Sequence, residues 1–248
     1  MPGHRFFTPF QDTDKKIIVK DPDEFQHLAA VLRLKVGDPL EIVNGRGWLA
    51  CGIIEEISRS SAVISVREMS FVPRAPGPVL TLACAIPKKA KFETVIEKCT
   101  ELGVDRIVPL ITERTAFSLD GERAEKRAVR FFRVVVNAAK QCKRLWFPEI
   151  RAALPFETAI QELAVPEAVL FIPWLEGERM PLSQALAAKA GMKHAIFFIG
   201  PEGDFTPDEV KLAMDAGAVP VSLGKNVLKV DTAAIAVVAC AVLMRKGQ

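Results

Sequence analysis

His194-Ala-Ile-Phe-Phe-Ile199 runs into Gly200-Pro201-Glu202-Gly203-Asp204-Phe205, and further on Val219-Pro-Val-Ser-Leu223 runs into Gly224-Lys-Asn226-Val227-Leu228-Lys229. Each apolar run has the length and the β-branched or aromatic content of a buried parallel strand. A helix signal follows each loop. Thr206-Pro207-Asp208-Glu209 is a capping box, with Thr at the N-cap, Pro at the first helical position and Glu reaching back three residues later. That helix is expected to stop at Gly217, where a C′ residue needs positive φ. The second helix is expected to open at Asp231-Thr232, with Asp231 a candidate N-cap. It runs apolar from Ala233 to Met244, so most of its sides should be buried. Two successive strand–loop–helix units bring both loops to the carboxyl edge of one sheet, where open α/β sheets bind ligands. Gly200, Gly203 and Gly224 allow backbone N–H groups to approach a ligand closely. The same glycines could simply make tight turns, and Gly-x-x-Gly spacing alone does not decide between the two.

Working back from that edge, the chain keeps alternating strand and helix. Ala168 to Ile172 reads as a strand ending in Pro173-Trp174, and Leu182 to Ala190 as a helix. Val79 to Ile86 and Arg106 to Ile111 read as strands. Between them Phe92, Val95, Ile96, Cys99 and Leu102 fall on one helical face, with Gly103 after it. Residues 1–72 read differently, as a small β-rich domain. Lys16 to Lys20, Leu40 to Val43, Trp48 to Ile57 and Ala62 to Val66 are strands, and Asn44-Gly-Arg-Gly47 is a hairpin signal. Asp21-Pro-Asp-Glu24 opens a helix whose apolar side holds Leu28, Val31 and Leu32. Short strands with one helix suggest a compact barrel. Three prolines and a glycine within residues 72–78 break helix and strand alike. The expected division is therefore a domain over 1–72, a linker over 73–78 and an α/β domain over 79–248.

Half of the 248 residues are hydrophobic, which excludes a disordered chain. Net charge is +3, and residues 1–75 hold ten basic and ten acidic side chains, so the whole excess lies beyond them. The five cysteines are spread out with no C-x-x-C pair and read as free thiols in a reducing compartment. No metal site is expected. The N-terminus lacks the apolar core of a signal peptide, and the longest apolar run is shorter than the roughly 20 residues of a membrane span. A cytoplasmic protein with no membrane association is expected.

One stretch carries a strongly one-sided charge. Arg123, Lys126, Arg127, Arg130, Arg133, Lys140, Lys143 and Arg144 face only Glu125 between residues 123 and 144. At about 100° per residue, all of these cations except Lys143 gather on one side of a helix. Phe131, Phe132, Val135, Ala138, Ala139 and Cys142 gather on the other. A solvated helix usually interleaves acids with its bases. Phosphate is the natural counter-charge for a stripe of one sign.

Taken together, Gly200-Pro-Glu-Gly203, Leu223-Gly224, Leu228 and Asp231-Thr232-Ala233 resemble the cofactor-binding end of the knotted, SPOUT-type RNA methyltransferases. The chain is most similar there to the bacterial family that methylates N-3 of a uridine in small-subunit (16S) ribosomal RNA. The resemblance continues through Lys98-Cys-Thr-Glu-Leu-Gly103, Thr112-Glu-Arg114, Asn137 to Arg144 and Pro148-Glu-Ile150. It reaches Arg5-Phe-Phe7 and His27 to Asp38 in a PUA-like N-terminal domain. It implies an α/β domain with a deep trefoil knot, a PUA-like β-barrel and a homodimer. It also implies S-adenosyl-L-methionine as cofactor and ribosomal RNA of the small subunit as partner, with free RNA and an assembled particle both open as the form of the substrate.

The cofactor residues implied are Ile172 and Pro173 on one strand end, then Ile199, Gly200, Pro201, Glu202 and Gly203. Leu223, Gly224, Asn226, Val227, Leu228 and Thr232 complete them. RNA contacts are implied for Arg5, Arg33, Lys88, Lys89, Arg114, Arg127, Arg130, Arg133 and Arg144. Lys229, Asp231 and Glu202 are the candidate groups at the reacting centre. Asn226, Lys229 and Asp231 stand where the family usually has Arg, Arg and Glu, and Asp204 stands where a second glycine is common. Lys229 keeps the charge but loses the bidentate fork. Three readings remain open at this point: an active uridine N-3 methyltransferase, a knotted RNA-binding protein without catalysis, and a nucleotide enzyme of ordinary doubly wound fold. The last lacks a G-x-G-x-x-G or P-loop motif.

Overall fold

The computed structural model describes residues 3–87, 92–115, 121–189 and 191–244. Two units emerge. The first comprises Met1–Ala75 with Ala139–Phe147, and the second Pro76–Ala138 with Pro148–Gln248.

In the first unit β1 (His4–Phe7), β2 (Lys16–Val19), β3 (Pro39–Val43), β4 (Trp48–Ile57) and β5 (Ala62–Phe71) form a sheet of order β1-β3-β4-β5-β2. Alternation sorts the side chains: in β2, Ile17 and Val19 are buried while Ile18 is exposed. α1 (Pro22–Gln26) is capped by Asp21, which accepts from the backbone N–H groups of Asp23 and Glu24, and it continues as a π turn over His27–Val31. Leu28 is buried as expected, but Val31 is exposed, because the wider π turn rotates it away from the core. The core is Phe6, Ile17, Val19, Leu28, Leu40, Ile42, Ile54 and Ile64. β4 and β5 shift register between Cys51 and Gly52 and again between Ile54 and Glu56. Gly52 is required there, since a Cβ would lie 2.5 Å from the Ser65 carbonyl oxygen.

Residues 139–147 complete this unit. Gly47 N–H donates to the Leu145 carbonyl at 3.0 Å, Phe147 N–H to the Gly45 carbonyl at 3.0 Å, and Trp146 Nε1 to the Val72 carbonyl at 2.8 Å. Gly47 has φ +90°, and a Cβ on it would meet the Trp146 ring at 2.7 Å. The hairpin loop and the segment after residue 143 are therefore shaped to each other.

The second unit runs β6 (Val79–Ala85), α2 (Phe92–Leu102), β7 (Arg106–Ile111), α3 (Gly121–Gln141), β8 (Glu149–Ile150), β9 (Leu154–Pro155) and α4 (Phe156–Leu163). It continues β10 (Ala168–Pro173), β11 (Met180–Pro181), α5 (Leu182–Ala188), β12 (His194–Ile199), α6 (Pro207–Asp215), β13 (Val219–Ser222) and α7 (Val230–Leu243). The last residues of α3 belong to the first unit. The sheet order is β11-β13-β10-β12-β6-β7-β8, with β9 also on β7, and every pairing between these strands is parallel. As near-continuous apolar runs of a two-sided parallel sheet should, residues Leu80, Leu82, Ala83, Phe171, Ile172, Phe197 and Phe198 are buried.

The local helix signals are present in the fold. α6 carries the full Thr206–Glu209 capping box and ends at Gly217 with φ +87°. α2 ends at Gly103 with φ +107°. α7 departs from expectation by starting two residues early: Lys229 is its N-cap, and Asp231 lies inside the first turn. There its carboxylate complements the helix dipole rather than capping. Ala233, Ala234, Val237, Val238, Ala241 and Val242 are buried, while Leu243 is exposed, so α7 keeps one apolar flank uncovered.

α3 also departs. It ends at Gln141, so Lys143 and Arg144 lie beyond it. Lys143 takes φ +61° and Arg144 N–H bonds back to the Ala139 carbonyl at 2.9 Å. Phe131, Val135, Ala138 and Ala139 are buried, but Phe132, about 100° round from Phe131, is exposed.

Candidate functional site

Three loops leave the carboxyl ends of β10, β12 and β13 and border one cleft of about 530 Å³. That size suits a cofactor-sized molecule. Pro173, Trp174, Leu175, Glu176 and Arg179 line it from the first loop. Ile199 to Phe205 line it from the second, and Val221 to Gly224 with Asn226 to Val230 from the third. Arg114, after β7, closes a fourth side.

The loops are held in place by backbone chemistry. Gly224 has φ +124°, a conformation open only to glycine, and its N–H is bonded to Ser222 Oγ at 3.3 Å. Gly200 lies under Phe205, whose backbone nitrogen a Cβ would approach to 3.2 Å. Asp204 has φ +59°, the left-handed region that glycine fills most easily, and its Oδ1 accepts from Phe205 N–H at 2.8 Å. Asp and Asn reach that region more readily than other residues because their short polar side chains bond locally. Asp204 therefore does the conformational work of the second glycine that the resemblance expects.

Arg114 Nη1 donates to the Gly203 carbonyl, and Gly203 has room for no Cβ without touching Arg114 Cδ at 3.3 Å. Glu113 N–H in turn donates to Glu209 Oε1 at 2.9 Å, while Glu209 Oε2 accepts from Thr206 N–H at 2.9 Å. One carboxylate thus caps α6 and anchors the loop that carries Arg114. Glu209→Gln retains a single acceptor oxygen and should lower stability by about 1 kcal/mol, the scale of a lost cap. Thermal unfolding reads this directly, and an unchanged midpoint would show that the two bonds contribute nothing.

Of the residues expected at the cofactor, Pro173, Ile199, Gly200, Pro201, Glu202, Gly203, Leu223, Gly224, Asn226, Val227 and Leu228 all border the cleft. Ile172 is buried in the sheet, and Thr232 and Asp231 sit in the first turn of α7 outside the lining. Glu202 and Lys229 do reach it. Trp174 and Arg179 were not singled out from the sequence. Their signal was the strand ending at Pro173-Trp174, which marks a third loop on the same edge.

The expected RNA residues scatter. Arg5 is spent on Glu41, with Nε at 2.9 Å and Nη2 at 2.7 Å, and its side chain is mostly covered. The two residues are cross-strand partners on β1 and β3, which is why they meet. Arg33 is exposed at the end of the π turn with φ +54°. Arg114 belongs to the cleft. Arg127, Arg130 and Arg133 are exposed on α3, and Arg130 pairs with Glu93 of α2. Lys140 is turned onto Glu24, a buried carboxylate that also accepts from Phe7 N–H. Arg144 follows the helix instead of lying on it. Lys88, Lys89 and the side chain of Arg123 lie outside the described residues.

All five cysteines are free. Burial pushes the Cys99 thiol up to about 12 and raises Cys84 well above the ordinary thiol range, so neither forms a thiolate near neutrality. Among the described residues no helix is long and apolar enough to cross a membrane.

Comparison with known proteins adds the family. A model of the RNA methyltransferase domain matches residues 74–242, most of the chain. This protein belongs to the RNA methyltransferase family. A model of the RNA methyltransferase PUA domain matches residues 19–67 of the same methyltransferase. The ribosomal RNA small subunit methyltransferase E of Synechocystis sp. is 35% identical over 213 residues, covering 85% of this chain and 67% of the relative. The protein of that name from Mycobacterium bovis is 35% identical over 222 residues, covering 88% and 83%. Among solved structures, a Legionella pneumophila protein in complex with the bound cofactor SAM superposes with a TM-score of 0.86 at 28% identity, covering 97% of both chains.

Proposed function

We propose that this methyltransferase transfers the methyl group of S-adenosyl-L-methionine to N-3 of a uridine in 16S ribosomal RNA of the small subunit. The observation that carries the reading is the convergence of three carboxyl-edge loops on one cleft in a chain of the RNA methyltransferase family. The cleft fits the cofactor: glycine backbones border it on two sides, and Ile199, Leu223 and Leu228 offer an apolar surface for an adenine ring. When bound, the cofactor supplies a methyl group already joined to a good leaving group, so positioning and loss of the N-3 proton remain to the chain. The Gly200–Gly203 and Leu223–Leu228 backbones hold the adenosine. Arg114 fixes the first of these loops through the Gly203 carbonyl. Glu202 and Lys229 are the ionisable groups of the reacting centre that border the cleft, while Asp231 serves the α7 dipole.

The same reading gives residues 79–248 a deep trefoil knot. β12 inserted between β6 and β10, β13 beyond β10, and α7 returning to α2 through Cys99 Sγ and the Ala234 carbonyl support it. A crystallographic trace that closes without a crossing would remove it. Residues 1–72 form a PUA-like barrel that meets RNA, and the two bulges that bend β4 against β5 support the curl. We place the enzyme in the cytoplasm, acting on an assembled particle.

Methyl transfer from labelled cofactor decides the matter, measured on whole small subunits and on naked ribosomal RNA. Labelled N-3-methyluridine is expected, more of it on the subunit. No transfer to either substrate would leave a knotted RNA-binding protein without catalysis.

The reading includes a homodimer. Leu243 and the half-buried Ala236, Ala239 and Cys240 leave an apolar flank on α7, and such a surface marks an interface. Light scattering at micromolar concentration should return twice the 27.2 kDa chain mass. A monomer mass would dismiss the dimer.

A further inference from the structure

The first unit carries an aromatic cluster that the reading above does not use. Phe71, at the end of β5, is the direct cross-strand partner of Trp48 on β4. Their ring centroids are 5.1 Å apart, and Trp146 meets Phe71 edge-on at 6.0 Å. Both indoles are partly covered, and Trp146 is fixed through its Nε1 bond to Val72. Phe71 itself is 47% exposed. It is therefore an apolar ring held rigid by two others while presenting much of its surface to water.

The stretches that build the cluster are basic. Arg74 lies 5.3 Å over the Trp146 ring, and Arg46 is joined to Trp146 by a backbone bridge. The three stretches that build the cluster, residues 44–48, 69–74 and 143–147, contain Arg46, Arg74, Lys143 and Arg144 and no carboxylate. A partner of opposite charge that also offers flat π surfaces fits this combination. Aromatic rings among cations are how sequence-tolerant single-strand sites work, because every base has a face to stack while the backbone meets the positive charge.

We propose that this face, centred on Phe71, stacks an unpaired base of single-stranded RNA, with the exposed Arg46 toward a flanking phosphate. The inference rests on the RNA-modifying reading above and adds a site to it. Duplex RNA buries its base faces, so the site prefers unpaired strands.

The test uses the full-length protein with a short mixed-sequence single-stranded RNA and the same sequence as a duplex. Phe71→Ala should weaken single-strand binding about 10- to 100-fold, the loss of one stacked base, and leave duplex binding nearly unchanged. Phe71→Trp should bind as the unaltered protein does, whereas Phe71→Leu, apolar but without a π face, should not. Phe71→Ala gives up ring contacts with Trp48 and Trp146 and should unfold at a somewhat lower temperature, while Phe71→Leu and Phe71→Trp keep apolar bulk there and serve as the folded controls. Equal single-strand affinity in Phe71→Ala overturns the proposal. If that variant instead alters the mass in light scattering, the face is a protein interface and the proposal also falls. Failure of the unaltered protein to bind the single strand also overturns this proposal, whereas the methyl-transfer reading stands or falls on transfer to the small subunit and its RNA, so the two failures are told apart.

Discussion

Gly224→Val and Gly224→Ala should both lose most of their affinity for S-adenosyl-L-methionine while remaining folded. The reason is conformational before it is steric. Gly224 holds φ +124°, and a Cβ built on it meets nothing within 4 Å, so space is not what excludes a side chain. A non-glycine residue there costs about 1–3 kcal/mol of backbone strain. The exposed loop can relieve that strain by moving, which breaks the bonds between Ser222 Oγ and Gly224. The backbone from Leu223 to Leu228 then no longer presents its polar groups to the cleft. Affinity should fall by roughly 10- to 100-fold for Ala, the same strain expressed as a binding ratio, and further for Val, whose branches add bulk to the cleft border. The sheet below is untouched, so unfolding should shift little. Calorimetric titration measures the affinity. Wild-type affinity in a folded Gly224→Val protein would take this loop out of the cofactor site.

Much of that site was legible because its signals are local. The β12 and β13 runs, the capping box of α6 and the glycine after α2 each need only a few neighbouring residues to be read, and the structure repeats them. The unread parts depend on residues far apart in sequence. No local pattern announces that Gly47 bonds Leu145, so residues 139–147 could not be assigned to the first unit. Arg5 and Arg114 illustrate a second limit. An arginine written in a sequence is a cation, and the sequence offers both as partners for phosphate. In the fold Arg5 meets Glu41 across a strand pair, and Arg114 works as a donor to one carbonyl. Lys140 is a third case, drawn to the buried Glu24 instead of to the charged stripe. Asp204 shows the converse: a departure from the expected glycine is understandable once its φ of +59° and its bond to Phe205 N–H are seen.

The exposed part of the charged stripe is Arg127, Arg130 and Arg133 on α3, with Lys126 beside them. Replacing all three arginines by alanine should sharply weaken RNA binding and leave cofactor binding unchanged. The packing side of α3 rests on Phe131 against Phe92 and on Val135, Ala138 and Ala139, so the helix should persist; alanine also favours it. Arg130 does have an acidic neighbour in Glu93, but its side chain is 66% exposed and such a pair contributes little. Phosphate can therefore compete for it. Each contact with a phosphate releases condensed counterions, so log affinity falls with log salt in proportion to the number of contacts. Loss of three contacts should flatten that slope by about 2 to 3, using the per-phosphate values for single and double strands. The loss of affinity should be greatest at low salt and shrink as salt rises. A solvated surface helix would change neither quantity. A triple variant with an unchanged slope would move RNA recognition off α3 and onto the first unit, where Arg33 and the cations around Phe71 would have to supply it.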